Sequence, residues 1–430
     1  MSAALSTLPR RGGADSAIGS AARRDGAHLA FALAVGAVVL LPVLRPSGPA
    51  NVGPVDLAVI AGTFATFLWI GATRRKVRFP LAVPIGLFVL GGATGSLTGP
   101  VPGTGAIALA QDAMLIVWFW SLVNLVDSSD RLGLIVRTWA YSSVAWAAIL
   151  VSAVAAGFGE IAGQSAREGA RAALTFGNPN FAGNYFCISI MIVWATGRPR
   201  RRPFRLGAYA LLLVALALTG SNGGILALLV GTTVATILGA YRRGGLPPAV
   251  AVCAFALLAG AFLATHLSLD NVQARARGSS YAFIRDGIGR SSKTAADREV
   301  LLHQGLDLYT TSGAFGRGPA STKARFEAEG AHRVAEAHTD YLASLNERGA
   351  FGFAGVVLLV GGIALRSVYV ARSVRSGRLS HAVLNPNALA GAAAALMTAM
   401  LSTELLHVRH VWMLLAVLVV AAWQAGDARV

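Results

Sequence analysis

Charge is scarce in this chain of 430 residues: Asp, Glu, Lys and Arg together make up 13%, about half the roughly 25% of an ordinary soluble domain. Acidic residues are the scarcer kind, 20 against 37 Lys and Arg. Cysteine is almost missing. Cys187 and Cys253 both lie in apolar runs, so neither a disulfide framework nor a cysteine-rich metal site is available. The patterns HExxH, GxxxxGK[ST] and GxSxG do not occur, which removes the zinc-protease, P-loop and serine-hydrolase readings. With 55% hydrophobic residues, a soluble globular enzyme is excluded and a membrane protein remains.

A helix needs about 20 apolar residues to cross the hydrocarbon core. Such runs stand at 29–46, 54–73, 79–98, 107–126, 132–157, 176–196, 206–219, 222–241, 247–267, 350–370, 386–403 and 407–425. They predict an all-α polytopic membrane protein of about twelve transmembrane helices. The seventh and eighth are short enough to pair as a hairpin through Thr219-Gly220-Ser221-Asn222. Residues 268–349, between the ninth and tenth, are far too polar to span. Residues 1–28 carry Arg10, Arg11, Arg23 and Arg24 and enter the first apolar run without an A-x-A-like site. They read as a cytoplasmic tail before an uncleaved anchor.

Lys and Arg mark cytoplasmic loops. With the N-terminus inside, 22 of the 37 fall in inside tails and loops, whereas the short outside loops hold Arg45, Arg167 and Arg171. The net charge of +17 is therefore mostly topological, and nucleic acid is no partner. The organisation expected is a tail over 1–28, nine helices over 29–267, a large partly helical periplasmic loop over 268–349, three helices over 350–425 and a cytoplasmic end over 426–430.

This orientation assigns a depth to each polar residue in an apolar run. Asp56, Gln111, Asp112, Asn178, Asn180, Ser221, Asn222, Glu404, His407, Arg409 and His410 all fall in the outer half of the membrane. Ionisable groups at depth cost about 2.5–3.5 kcal/mol each on insertion scales, so they face one another or a polar cavity. A transporter would set them near the midplane. The distribution predicts a cavity open to the outside, under the large loop. Within that loop, 270–293 is rich in Arg, Gly and Ser and reads as irregular. An amphipathic helix is expected from Asp297, as N-cap, to Tyr309. Gly313–Pro319 (GAFGRGP) reads as a turn. Ala335–Gly349 reads as a helix with Tyr341, Leu342 and Leu345 as its apolar stripe, Gly349 as its stop and His338 over the cavity mouth.

Four elements carry a resemblance. His338-Thr339-Asp340-Tyr341-Leu342, then Glu347, Gly349 and Gly352, resembles the "HNxYL…E.G..G" signature of the O-antigen ligase/polymerase (Wzy-like) superfamily. Phe176-Gly177-Asn178-Pro179-Asn180-Phe181-Ala182 is similar to its "F.NPN.FA" element. Arg298, Leu306 and the turn at Gly316 and Gly318 resemble its "R…W..al….P..G.G" block. Thr219 to Gly224 stands where "t.SRgg" is expected, with Asn222 in place of the arginine. The resemblance implies a metal-independent glycosyltransferase of the bacterial inner membrane, without cofactor. It would take a glycan from undecaprenyl diphosphate at the periplasmic face and pass it to a hydroxyl acceptor, lipid A-core or another envelope glycan. A repeat-unit polymerase is the alternative within the superfamily. A membrane transporter of lipid-linked or small substrates is the alternative outside it.

The resemblance carries the family's histidine onto His338 and its loop arginine onto Arg298. The chemistry needs an acceptor hydroxyl relieved of its proton, typically worth 10²–10⁴-fold, and guanidinium groups on a diphosphate gaining charge. His338 is then the general base, with Asp340 orienting it. Arg298 binds the diphosphate, with Arg317 or Arg409 for the guanidinium missing at Asn222. Asn178, Asn180, Ser221, Asn222, Asp112, Glu404 and Tyr341 line the substrate cavity. Each also has a purely structural reading. His338 can cap or pack at a helix start, and Arg298 can pair with Asp297, Glu299 or Asp307. Asn178-Pro179-Asn180 can be a helix-entry turn, and Arg317 can be solvated. Asp112, Glu404 and Arg409 can be ion-pair partners, and Tyr341 can be core.

Overall fold

The computed structural model describes residues 12–45, 52–166, 168–266, 269–287, 289, 293–328, 339–373 and 378–426. Among these residues the chain is helical throughout, with one isolated bridge between Ser165 and Gly169. In chain order the helices are α1 (Gly12–Val39), α2 (Pro54–Thr73), α3 (Ala82–Thr98), α4 (Pro102–Leu125), α5 (Ser129–Ala155), α6 (Gly159–Ala162), α7 (Pro179–Thr196), α8 (Arg202–Thr219), α9 (Asn222–Gly244) and α10 (Leu246–His266). Then come α11 (Leu269–Arg277), α12 (Ala282–Gly287), α13 (Lys293–Ser312), α14 (Thr322–Ala328), α15 (Asp340–Ser373), α16 (Pro386–Ala399) and α17 (Arg409–Gly426). Eight are long and apolar enough to cross a membrane: α2, α4, α5, α8, α9, α10, α15 and α17. Gly26–Val39 and Ala82–Thr98 are shorter apolar helices.

Local chemistry sets the ends of these helices. Pro54, Pro102, Pro179 and Pro386 each open a helix, where the missing N–H would have no intrahelical partner anyway. Gly197 and Gly220 close α7 and α8 in the left-handed conformation. The α8–α9 hairpin then turns at once, because the Ser221 hydroxyl accepts from the Gly224 N–H at 3.2 Å. Two loop expectations need correcting. The stretch 270–293 is not irregular: α11 and α12 occupy most of it, since Arg and Ala are good helix formers and Ala276 finds a buried position. Asp297 is no N-cap either, because α13 already begins at Lys293.

Burial sorts the bundle into layers. In α17 83% of the spanning window is buried, whereas in α10 the figure is 6%. So α17 is the axis, with Trp412 against Phe119 of α4 at 5.9 Å between ring centroids. Helix α10 presents Phe255, Leu257, Leu258 and Phe262 outward, as a lipid-facing helix should.

The tightest seam joins α3 to α15. Gly91 and Gly95 of α3 and Gly99 at its C-cap recur every fourth residue, hence on one face. A Cβ on Gly91 would stand 2.6 Å from the Gly352 amide nitrogen, and one on Gly95 would stand 2.5 Å from the Glu347 carbonyl oxygen. From the other side, a Cβ on Gly355 would lie 2.6 Å from the Phe88 amide nitrogen. Small residues at this spacing let two helix backbones touch, the usual route to association where water supplies no hydrophobic drive.

Candidate active site

Helix α15 begins with two polar turns before its apolar stretch. Asp340, Ser344, Glu347 and Arg348 stand at i, i+4, i+7 and i+8, one face of a helix. The Asp340 N–H donates to the Met400 carbonyl at 3.1 Å. Its carboxylate accepts from the Leu405 and Leu406 amides at 2.8 and 3.0 Å. Asp340 therefore ties the start of α15 to the turn that leads into α17.

Glu347 captures the other side. Its carboxylate accepts from the Ala320 N–H at 2.9 Å and from the Thr322 hydroxyl at 2.7 Å. Main-chain bonds from Arg317 to the Asn346 carbonyl (3.1 Å), from Gly318 to that of Glu347 (2.8 Å) and from Ala350 to that of Ala314 (2.8 Å) wrap the Gly-rich turn around α15. The wrap needs the kink at Gly349, whose φ of 62° and ψ of −161° fall in a region essentially reserved for glycine. Gly349→Ala should cost at least about 1–3 kcal/mol in backbone strain, and its Cβ would overlap the Ala314 carbonyl. A lower thermal midpoint with faster proteolysis at 313–319 is expected; an unchanged midpoint would contradict the wrap.

Arg348 reaches back to α4. Its Nη2 donates to Asp112 at 2.6 Å, and its guanidinium lies 3.8 Å from the Phe88 ring centroid. Arg348 is 7% exposed and Asp112 4%. Around this pair opens a cavity of about 300 Å³, also lined by Gln111, Ala320, Asp340, Ser344, Glu347, Glu404 and His407. Four carboxylates face it against one guanidinium, so it favours hydroxyl groups and cations over a bare phosphate.

Of the residues singled out in the sequence, Gln111, Asp112, Asp340, Glu404 and His407 meet at this cavity. Tyr341 packs half-buried beside the core. Arg409 is committed elsewhere, donating to both Asp56 oxygens at 2.9 and 2.7 Å. Arg317 lies in the Gly-rich turn next to the cavity wall. Arg298 falls on α13, where the side chains of 293–299 lie outside the described set. His338 lies outside the described residues.

Asn178, Asn180 and Ser221 form a second cluster. Asn178 caps α7 through the Asn180 N–H at 2.9 Å. The buried Arg171 guanidinium donates to the Asn180 side chain at 3.0 Å and to the Thr219 carbonyl at 2.9 Å, and also pairs with Glu168. Arg171 thus brings a guanidinium to the hairpin tip that Asn222 follows. The cluster meets the cavity through Phe181, whose ring lies edge-on to His407 at 5.1 Å. His410 turns away and meets Asn184 at 2.8 Å.

Sequence reading missed Ser344 and assigned no site role to Arg348 or His407. The signal existed: the polar stripe at 340, 344, 347 and 348 runs beside the apolar stripe of the same helix.

Two comparisons with known proteins bear on this arrangement. A family model described as O-antigen ligase matches residues 207–357, from the start of α8 to just past the Gly349 kink. The matched stretch contains Ser221, Asn222, Arg298, Arg317, His338, Asp340, Glu347 and Arg348, and stops short of Asp112, Asn178 and Glu404. No curated protein matches the chain.

Proposed function

We propose that this chain, whose residues 207–357 match the O-antigen ligase family model, is a membrane glycosyltransferase with an O-antigen ligase-like reaction. It moves a glycan from undecaprenyl diphosphate to a hydroxyl of lipid A-core or another envelope glycan. The reaction takes place at the periplasmic face of the bacterial inner membrane, without a metal. About twelve helices span, both termini face the cytoplasm, and the segment 268–349 covers the outer opening. Positive charges on the inside loops support that orientation.

The observation that carries the reading is the cavity at the start of α15, bordered by residues from both inside and outside the matched stretch. Its carboxylates suit the hydroxyls of a sugar. The diphosphate belongs instead with Arg298 and Arg317, on the segment above it. His338 takes the acceptor proton. It lies two residues before Asp340, within about 7 Å of chain reach, so the Asp340 anchor fixes where the base can stand. Water exclusion comes from the wrapped turn 313–322.

A transporter is the weaker reading. Below the cavity α4 contributes Leu115, Trp118, Phe119 and Leu122, all almost fully buried, and Trp412 closes the gap against Phe119. These apolar side chains stand between the cavity and the opposite end of the bundle, which favours a transferase over a transporter.

The test is reconstitution in nanodiscs with an undecaprenyl-diphosphate oligosaccharide as donor. Transfer that requires added lipid A-core is the expected result. A ladder of longer lipid-linked glycans without acceptor would instead make the chain a polymerase. Silence in both formats, from monodisperse protein, would overturn the assignment.

A further inference from the structure

A second cavity, of about 580 Å³, lies at the far end of the same helices, between the last turns of α2, α4 and α17 and the loop 74–78. Nothing in glycan transfer uses it. Its walls are unusually basic, with Arg75, Lys76 and Arg78 against the single carboxylate Asp127. That carboxylate is already shared, accepting from Arg75 at 2.7 Å and from Arg131 at 3.2 Å. Lys76 and Arg78 have no carboxylate partner among the described residues.

The rim is built, not loose. The Asn124 side chain clamps Arg78 twice, accepting from its N–H and donating to its carbonyl, both at 2.8 Å. Arg74 ends α2 in the left-handed conformation, and the N–H groups of Arg74 and Arg75 return to the Gly71 and Ile70 carbonyls. Two tryptophans steer the cations: Arg75 lies 4.6 Å from the Trp69 ring and Arg78 lies 5.0 Å from the Trp423 ring. On the wall opposite, Gln424 keeps both amide atoms buried with no hydrogen-bond partner among the described residues. Lys76 and Arg78 stand exposed at the cavity and the buried Gln424 amide offers a donor in its wall, a set that an acceptor-rich anion fits.

We propose that this cavity binds a phosphate-bearing anion, with the phosphodiester headgroup of an anionic phospholipid as its source. Cations and ring-bearing tryptophans at one end of a helix bundle match the headgroup level of a bilayer. The phosphate oxygens accept from Lys76, Arg78 and Gln424 Nε2, and the acyl chains leave along the outer faces of α2 and α3. The proposal is independent of the transfer reaction.

The experiment uses the full chain in detergent, titrated with phosphatidylglycerol, with phosphatidylcholine and separately with inorganic phosphate. Retained lipid is counted by native mass spectrometry, and thermal midpoints are followed in parallel. Wild type should retain phosphatidylglycerol over phosphatidylcholine, and the double variant Lys76→Gln/Arg78→Gln should lose that preference at least tenfold. Arg201→Gln/Arg202→Gln, which removes two exposed charges from another loop, should keep it. A midpoint raised by inorganic phosphate in wild type but not in the site variant, without lipid preference, would keep the site and change the source to free phosphate. Equal loss in both double variants would reduce the effect to general surface charge and overturn the proposal, as would no binding of any probe. Gln424→Leu separates the two further: it leaves charge intact and should still weaken retention.

Discussion

Arg348→Met should lower stability by about 3–5 kcal/mol, the usual cost of leaving one member of a buried ion pair without its partner. Asp112 would then face three other carboxylates across the cavity with its 2.6 Å cation partner gone. The thermal midpoint in detergent reads this directly. The double variant Asp112→Asn/Arg348→Met should recover most of the loss, because a neutral amide against a thioether carries no stranded charge. Failure of the double variant to recover would mean that Arg348 stabilises mainly through Phe88, over which it lies at 3.8 Å. Transfer activity in the recovered double variant should fall nonetheless, since it removes one carboxylate and the guanidinium that line the proposed sugar site.

His338→Ala should behave in the opposite way. Loss of a general base costs about 10²–10⁴-fold in rate and acts on the proton transfer, not on the packing. The expected pattern is normal expression, an unchanged midpoint and near-complete loss of transfer. Asp340→Ala is the informative contrast. It strands two buried amides, of Leu405 and Leu406, at about 1–3 kcal/mol each, and frees the segment that carries His338. Both stability and rate should fall. Retained transfer in His338→Ala would remove this residue from the mechanism and direct attention to His407, the imidazole that lines the cavity itself.

The apolar runs were legible because helices in lipid are specified by their own composition: each of the twelve contains a helix. The hairpin at Gly220 and Ser221 was legible for the same reason, being local turn chemistry. The pairings were not. Asp112 and Arg348 are separated by 236 residues and Asp56 and Arg409 by 353, and no periodicity links such distant positions. Sequence reading grouped Arg409 with Asp112 and Glu404 because all three share a depth. Depth alone does not say which helix stands beside which. Within α15 the obstacle was different: following the apolar residues Tyr341, Leu342 and Leu345 identified the helix but diverted attention from the polar face that lines the cavity.

The seam between α3 and α15 has a consequence for how the protein is made. Ribosomes add about 5–20 residues per second, so Arg348 follows Asp112 out of the exit tunnel by on the order of 10–50 s. During that interval α3 and α4 are already made, with the glycine face of α3 uncovered and Asp112 without its cation. The early bundle therefore carries a vacancy that only α15 fills. A chain cut short before α15 should keep that defect, with the glycine face of α3 uncovered and Asp112 unpaired.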